Sequence, residues 1–223
     1  MEKLCIADKT VEMFPSLIPG APLIVVNGED GEGEALYQAV KAVAEADFSL
    51  MAIGGLDWDD ELTPWPAPGV FKGQSFGGHA DRWLRELTEQ VLPAALEKLP
   101  ERPCWIGLAG YSLAGLFAVW ASFRASIFSR AASVSGSLWY PGFIDCAAAN
   151  APVHAPERVY ISVGDREGKA RNPVMRTVED AARRLAAMYA DEGVPTRFDL
   201  NPGGHFNDPL GRMAKGIAWL LDN

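Results

Sequence analysis

The sequence is poor in the residues that staple small folds or hold metals. Its 223 residues include only three cysteines and three histidines. Cys5, Cys104 and Cys146 are far apart and form no Cys-x-x-Cys pair, which excludes a disulfide framework and a zinc site of ordinary ligand spacing. Cys104 lies in the apolar stretch Cys104–Ala109 and reads as a buried thiol. No run approaches the roughly 18 uninterrupted apolar residues of a membrane span. The first residues, MEKLCIADKT, lack a basic region followed by an apolar one, so the expectation is no signal peptide and a cytoplasmic location. Basic charge is also scarce: 20 Lys and Arg against 29 Asp and Glu give a formal net charge of −9. An acidic surface repels polyanions, making nucleic acid and anionic membrane poor partners. No repeat, linker or low-complexity tract interrupts the chain. Because 48% of the residues are hydrophobic, a single domain over residues 1–223 with one large core is expected.

What is present is an alternation of short apolar runs and helical spacing. Residues 21–27 (APLIVVN), 48–53, 105–109, 131–134, 159–163 and 196–200 read as buried strands. Helical spacing recurs at Leu36–Ala44, Leu84–Leu92, Leu113–Phe123 and Met175–Tyr189, and again at Ile217–Leu221. Pro93 kinks or divides the second of these. Between residues 56 and 78 lies a long polar and aromatic loop. The pattern predicts an α/β fold: a mostly parallel, doubly wound sheet with helices on both faces and right-handed crossovers. Ligands on such sheets sit at the carboxyl ends of the strands. Little chain separates Val134 from Val159, so no cap or lid is expected and the cleft reads as open.

Three placements in that frame carry chemistry. Gly110-Tyr111-Ser112-Leu113-Ala114 follows the 105–109 strand and opens a helix, the setting of a strained nucleophile turn. Small residues are needed two before and two after the serine, and Gly110 and Ala114 supply them. The Leu113 amide, at the helix start, is positioned to donate to an oxyanion. His205 sits in the Gly-rich loop Pro202–Phe206, after the last strand. An imidazole, with its ordinary pKa of about 6.5, takes and returns a proton near neutrality. His79 reads as a helix-start residue beside the aromatic loop, and His154, between two prolines, as exposed. After the 159–163 strand come Asp165 and Glu167. The acid of such a triad commonly stands three residues past the glycine, which favours Glu167; Asp165 competes for the role, or caps the loop by accepting from backbone amides. The order Ser, acid, His is that of α/β-hydrolases.

These residues resemble a known group. PLIVVNG (residues 22–28), Thr63-Pro64 and Gly77-Gly78-His79-Ala80-Asp81 are similar to esterases related to esterase D and to the enterochelin esterase-like hydrolases. GYSLAGLFAVW, SVSGSLWY, VYISVGDRE and PGGH (from Gly110, Ser133, Val159 and Pro202) extend the likeness to about Phe206. The resemblance implies the α/β-hydrolase fold and hydrolysis of a small carboxylic ester through an acyl-enzyme, without cofactor or metal. It also implies that Gly28 or Glu29 provides a second oxyanion amide and that Trp139 lies near the substrate.

Two features depart from the pattern. Ala114 stands where glycine is usual. The loop Asp57–Trp65 carries four carboxylates where related siderophore esterases carry arginine, which argues against a strongly anionic substrate. Trp58, Trp65, Trp139 and Tyr140 are candidates for an aromatic-lined substrate cleft, with one or two of the four expected to touch substrate. Alternative readings of the same residues are a thioesterase or acyltransferase, and a non-catalytic binding protein on a hydrolase scaffold. The oligomeric state is open.

Overall fold

Parallel strands covered on both faces have no reason to alternate, and the uniformly buried Leu23–Asn27 and Ser49–Gly54 show why the apolar runs were readable as strands. In the computed structural model, which describes residues 1–222, the elements in chain order are β1 (Glu2–Ile6), β2 (Lys9–Phe14), β3 (Leu23–Asn27), α1 (Gly33–Lys41) and β4 (Ser49–Gly54). Then come α2 (Trp58–Glu61), the ribbon strands β5 (Ala67–Pro68) and β6 (Ser75–Phe76), and α3 (Ala80–Glu86). A π-helical turn at Leu87–Val91 leads into α4 (Leu92–Leu96), whose first turn holds Pro93. The remainder is β7 (Ile106–Tyr111), α5 (Leu113–Ser122), β8 (Arg130–Val134), α6 (Phe143–Ala149), β9 (Arg158–Gly164), α7 (Val178–Asp191), β10 (Thr196–Asn201) and α8 (Pro209–Leu221).

Eight strands form one open sheet in the order β1-β2-β4-β3-β7-β8-β9-β10. The strands β4, β3, β7, β8, β9 and β10 run parallel, whereas β1 and β2 form an antiparallel edge. This edge was missed from sequence, because the buried polar residues Lys9 and Glu12 disguise the β2 pattern. From β3 the chain steps outward to β4, then returns across β3 to β7. The strand order therefore reverses between β3 and β7, where open α/β sheets bind ligands. Helices α1 and α8 cover one face, packing Leu36, Val40, Ile217 and Leu220 on Ile24 and Val26. Helices α3, α5 and α7 cover the other over Val25, Leu108 and Ile161.

One local expectation is corrected: Cys104 is exposed, because the strand begins only at Ile106. The interval after Val134 holds α6, packed by Phe143 and Ile144 against the main core.

Candidate active site

The site is assembled by register. Asn27 of β3 lies opposite Gly110 of β7, Tyr111 opposite Val134 of β8, and Gly164 of β9 opposite Asn201 of β10. The loops that follow these strands therefore emerge side by side at one edge of the sheet.

Ser112 stands between β7 and α5 with φ 58° and ψ −122°, a conformation that costs a non-glycine residue on the order of 1–3 kcal/mol. The packing around it explains the small neighbours. A Cβ on Gly110 would lie 2.3 Å from the backbone carbon and oxygen of Ala114. The Ser112 Oγ is 3.1 Å from His205 Nε2, and His205 Nδ1 is 2.8 Å from Glu167 Oε2. This network assigns the proton to Nδ1, leaving Nε2 free to accept from the serine.

The two competing carboxylates are thereby given different surroundings. Glu167 is buried in a short 3₁₀ turn, and its Oε1 accepts from the Gly164 amide at 2.6 Å. Asp165 is exposed and accepts instead from the Gly203 amide at 2.8 Å, tying the β9 loop to the histidine loop. Burial pushes the Glu167 carboxyl upward, but the bonds from His205 and the Gly164 amide outweigh it, so the group titrates below the usual glutamate range.

Behind Glu167 lies a residue that sequence reasoning missed. Arg212, on the first turns of α8, is 3% exposed and lies 3.3 Å from Glu167 Oε1. It also donates to Ser135 Oγ at 3.0 Å and to the Pro202 carbonyl at 2.8 Å. Two hydroxyls complete the frame. Tyr111 donates to the His205 carbonyl, and Ser137 Oγ stands 3.3 Å from Ser112 Oγ. Ser137 falls in the 133–139 stretch already singled out, so a signal for it existed; an arginine inside a closing amphipathic helix gives none.

The amides near Ser112 divide cleanly. Gly28 donates its amide to the Ile53 carbonyl at 2.9 Å, as part of the sheet ladder, and so is not free for an oxyanion. The Leu113 and Glu29 amides have no hydrogen-bond partner among the described residues. Asn27, just before them, is buried with both carboxamide atoms unpartnered.

A cleft of about 550 Å³ opens beside Ser112 and His205, bounded by the start of α1 and the start of α8. Of the four aromatic candidates, only Trp58 lines it. Trp65, Trp139 and Tyr140 are turned into a buttress instead. The Trp65 indole donates to the Pro141 carbonyl, the Tyr140 hydroxyl donates to the Trp65 carbonyl, and Phe76 packs on both Trp139 and Tyr140. Burial raises the Tyr140 hydroxyl to about 12, so it stays a neutral donor.

The acidic loop needs a similar correction. Asp57 caps α2, Asp59 accepts from Gln74, and Asp60 faces His79 and Arg82. Glu61 forms a buried pair with Lys9 at 2.7 Å. None of the four lines the cleft; its acidic residues are Glu29 and Glu32.

Comparison with known proteins bears on the fold and the family. The solved structure of an IroE-like serine hydrolase from Shewanella oneidensis matches with a TM-score of 0.79 and 15% identity, over 96% of this chain and 75% of that one. The siderophore hydrolase EstA from Aspergillus nidulans matches with a TM-score of 0.70 and 21% identity, over 96% of this chain and 89% of that one. These likenesses show the α/β-hydrolase fold. The uncharacterized protein YbbA of Bacillus subtilis (strain 168) is 26% identical over 186 residues, 78% of this chain and 73% of that protein. The family model described as "Putative esterase" matches residues 28–209, a span that includes Ser112, Glu167 and His205. The resemblance drawn from the motifs therefore holds, and the chain belongs to this esterase family.

Proposed function

We propose that the protein is a serine esterase that cleaves a small carboxylic ester through an acyl-enzyme. The observation that carries this reading is the continuous chain from Ser112 Oγ through His205 to Glu167, with steps of 3.1 and 2.8 Å, on a serine held in a strained turn. Ser112 Oγ attacks the ester carbonyl while its proton passes to His205 Nε2. The amides of Leu113 and Glu29 hold the oxyanion of the tetrahedral intermediate. Its collapse expels the alcohol, which takes the proton from Nε2 and leaves the acyl group on Ser112. Water then repeats the cycle, giving its proton to Nε2 and releasing the acid. Glu167 keeps the imidazole in the working tautomer and stabilises the imidazolium without accepting its proton. Arg212 and the Gly164 amide fix the carboxylate in place.

A fluorophosphonate probe is expected to label Ser112, and Ser112→Ala to abolish both labelling and turnover of short acyl esters. Wild-type protein that is folded, unlabelled and inactive would overturn the proposal.

A further inference from the structure

We infer that the cleft beside Ser112 selects esters carrying an extended apolar group with a neutral or positively charged end, and rejects anionic ones; this rests on the esterase reading above. Its walls are apolar. Val26, Leu36 and Met213 form the floor between α1 and α8, while Phe206 and Leu210 stand at the rim with 88% and 43% exposure. A volume of about 550 Å³ lies within the 300–1,000 Å³ usual for small-ligand sites. Large apolar side chains held in solvent around a catalytic serine are covered when an apolar chain lies between them.

The charge at the mouth has one sign. Glu29 and Glu32 line the cleft, no Lys or Arg does, and neither carboxylate takes part in an ion pair among the described residues. The amino end of α1 offers about half a positive charge, which leaves the two glutamates dominant. The acids of the 57–61 loop are spent on their own partners, so discrimination falls to Glu29 and Glu32. A siderophore carrying several negative charges is disfavoured at such a mouth.

The test compares hydrolysis of two isosteric ester series. One varies the end of a six-carbon acyl chain on 4-nitrophenol as trimethylammonium, its neutral isostere tert-butyl, or carboxylate. The other places the same three ends on the alcohol of an acetate ester. Two carboxylates roughly 12 Å from the charged end of the substrate, at solvent-like dielectric, give an expected kcat/KM ratio of about tenfold for cation over anion at low salt, shrinking as salt rises. In the Glu29→Gln, Glu32→Gln double variant the ratio is expected to fall towards one. That ratio is taken within one protein, so general damage to the fold does not move it. If neither series is ordered by charge, or the anion is preferred, the inference fails while the esterase reading stands. If wild type hydrolyses none of the six esters, both fail.

Discussion

Replacing Glu167 by glutamine tests the proposed division of labour between the two carboxylates, because the amide has nearly the same shape and the wrong chemistry. Glu167 Oε1 accepts from the Gly164 amide and lies against Arg212, while Oε2 faces His205 Nδ1. In Glu167→Gln the remaining oxygen can serve only one side. If it stays with Gly164 and Arg212, the new NH₂ donates to Nδ1, the ring proton moves to Nε2, and the imidazole can no longer take the Ser112 proton. If the amide flips, its NH₂ meets two donors in a buried site. The flipped arrangement would keep the working tautomer but sets an NH₂ against the Gly164 amide and Arg212, so the unflipped one is favoured and the working tautomer is lost, at an expected cost of about a thousand- to ten-thousand-fold in kcat, or roughly 4–5.5 kcal/mol of transition-state stabilisation. Asp165→Asn keeps an acceptor for the Gly203 amide and removes only an exposed charge, so its expected cost is at most about fivefold. The assay is kcat on a short-chain acyl ester for both variants, with thermal melts to show that each is folded. The reasoning is refuted if Asp165→Asn is as crippled as Glu167→Gln, or if folded Glu167→Gln keeps more than a tenth of the activity.

Two further outcomes concern stability. Arg212→Met strands the Glu167 carboxylate in a buried site, at an expected cost of about 3–5 kcal/mol. For a chain of this size that corresponds to a melting temperature lower by roughly 6–20 °C, and a drop under 2 °C by circular dichroism would sink the account. The lowered Glu167 pKa also predicts a pH slope. The unfolded chain binds this proton more readily than the folded one, so the stability it contributes is full above the ordinary glutamate value of about 4.3 and is lost as pH falls through the depressed folded value. Urea midpoints between pH 7 and pH 3 should therefore fall with pH and fall less steeply in Glu167→Gln. Asp199, also lowered because bonds from Lys215, Arg197 and Tyr160 outweigh its burial, adds a slope of the same sign in both proteins.

The parallel core of the fold was legible because its strands are apolar on both faces and its helices on one. The β1–β2 edge was not, because Lys9 and Glu12 are buried by ion pairing, which leaves no trace in hydropathy. Ser112 and His205 were legible because strand ends mark where chemistry collects in such sheets. Glu167 was favoured over Asp165 by its spacing from Gly164 alone, since the choice depends on which side of a tight turn each carboxylate leaves. The aromatic residues show the same limit. Composition announced a cluster of rings, but the side to which Trp65 and Tyr140 turn is set by hydrogen bonds to backbone carbonyls far away in sequence. Arg212 was invisible for a related reason, as a cation on an amphipathic helix ordinarily faces water.

The buried pair between Lys9 and Glu61 joins the start of β2, the inner strand of the edge hairpin, to the helix that presents Trp58 to the cleft. Residue 9 lies outside the span matched by the family model, and residue 61 lies inside it. Losing either charge alone would leave the other buried and uncompensated, so the two positions are expected to change together across related sequences, or not at all. The edge hairpin then behaves as an inherited counterpart of the substrate-facing loop, and a chimaera that grafts one without the other breaks a pair that neither segment displays alone.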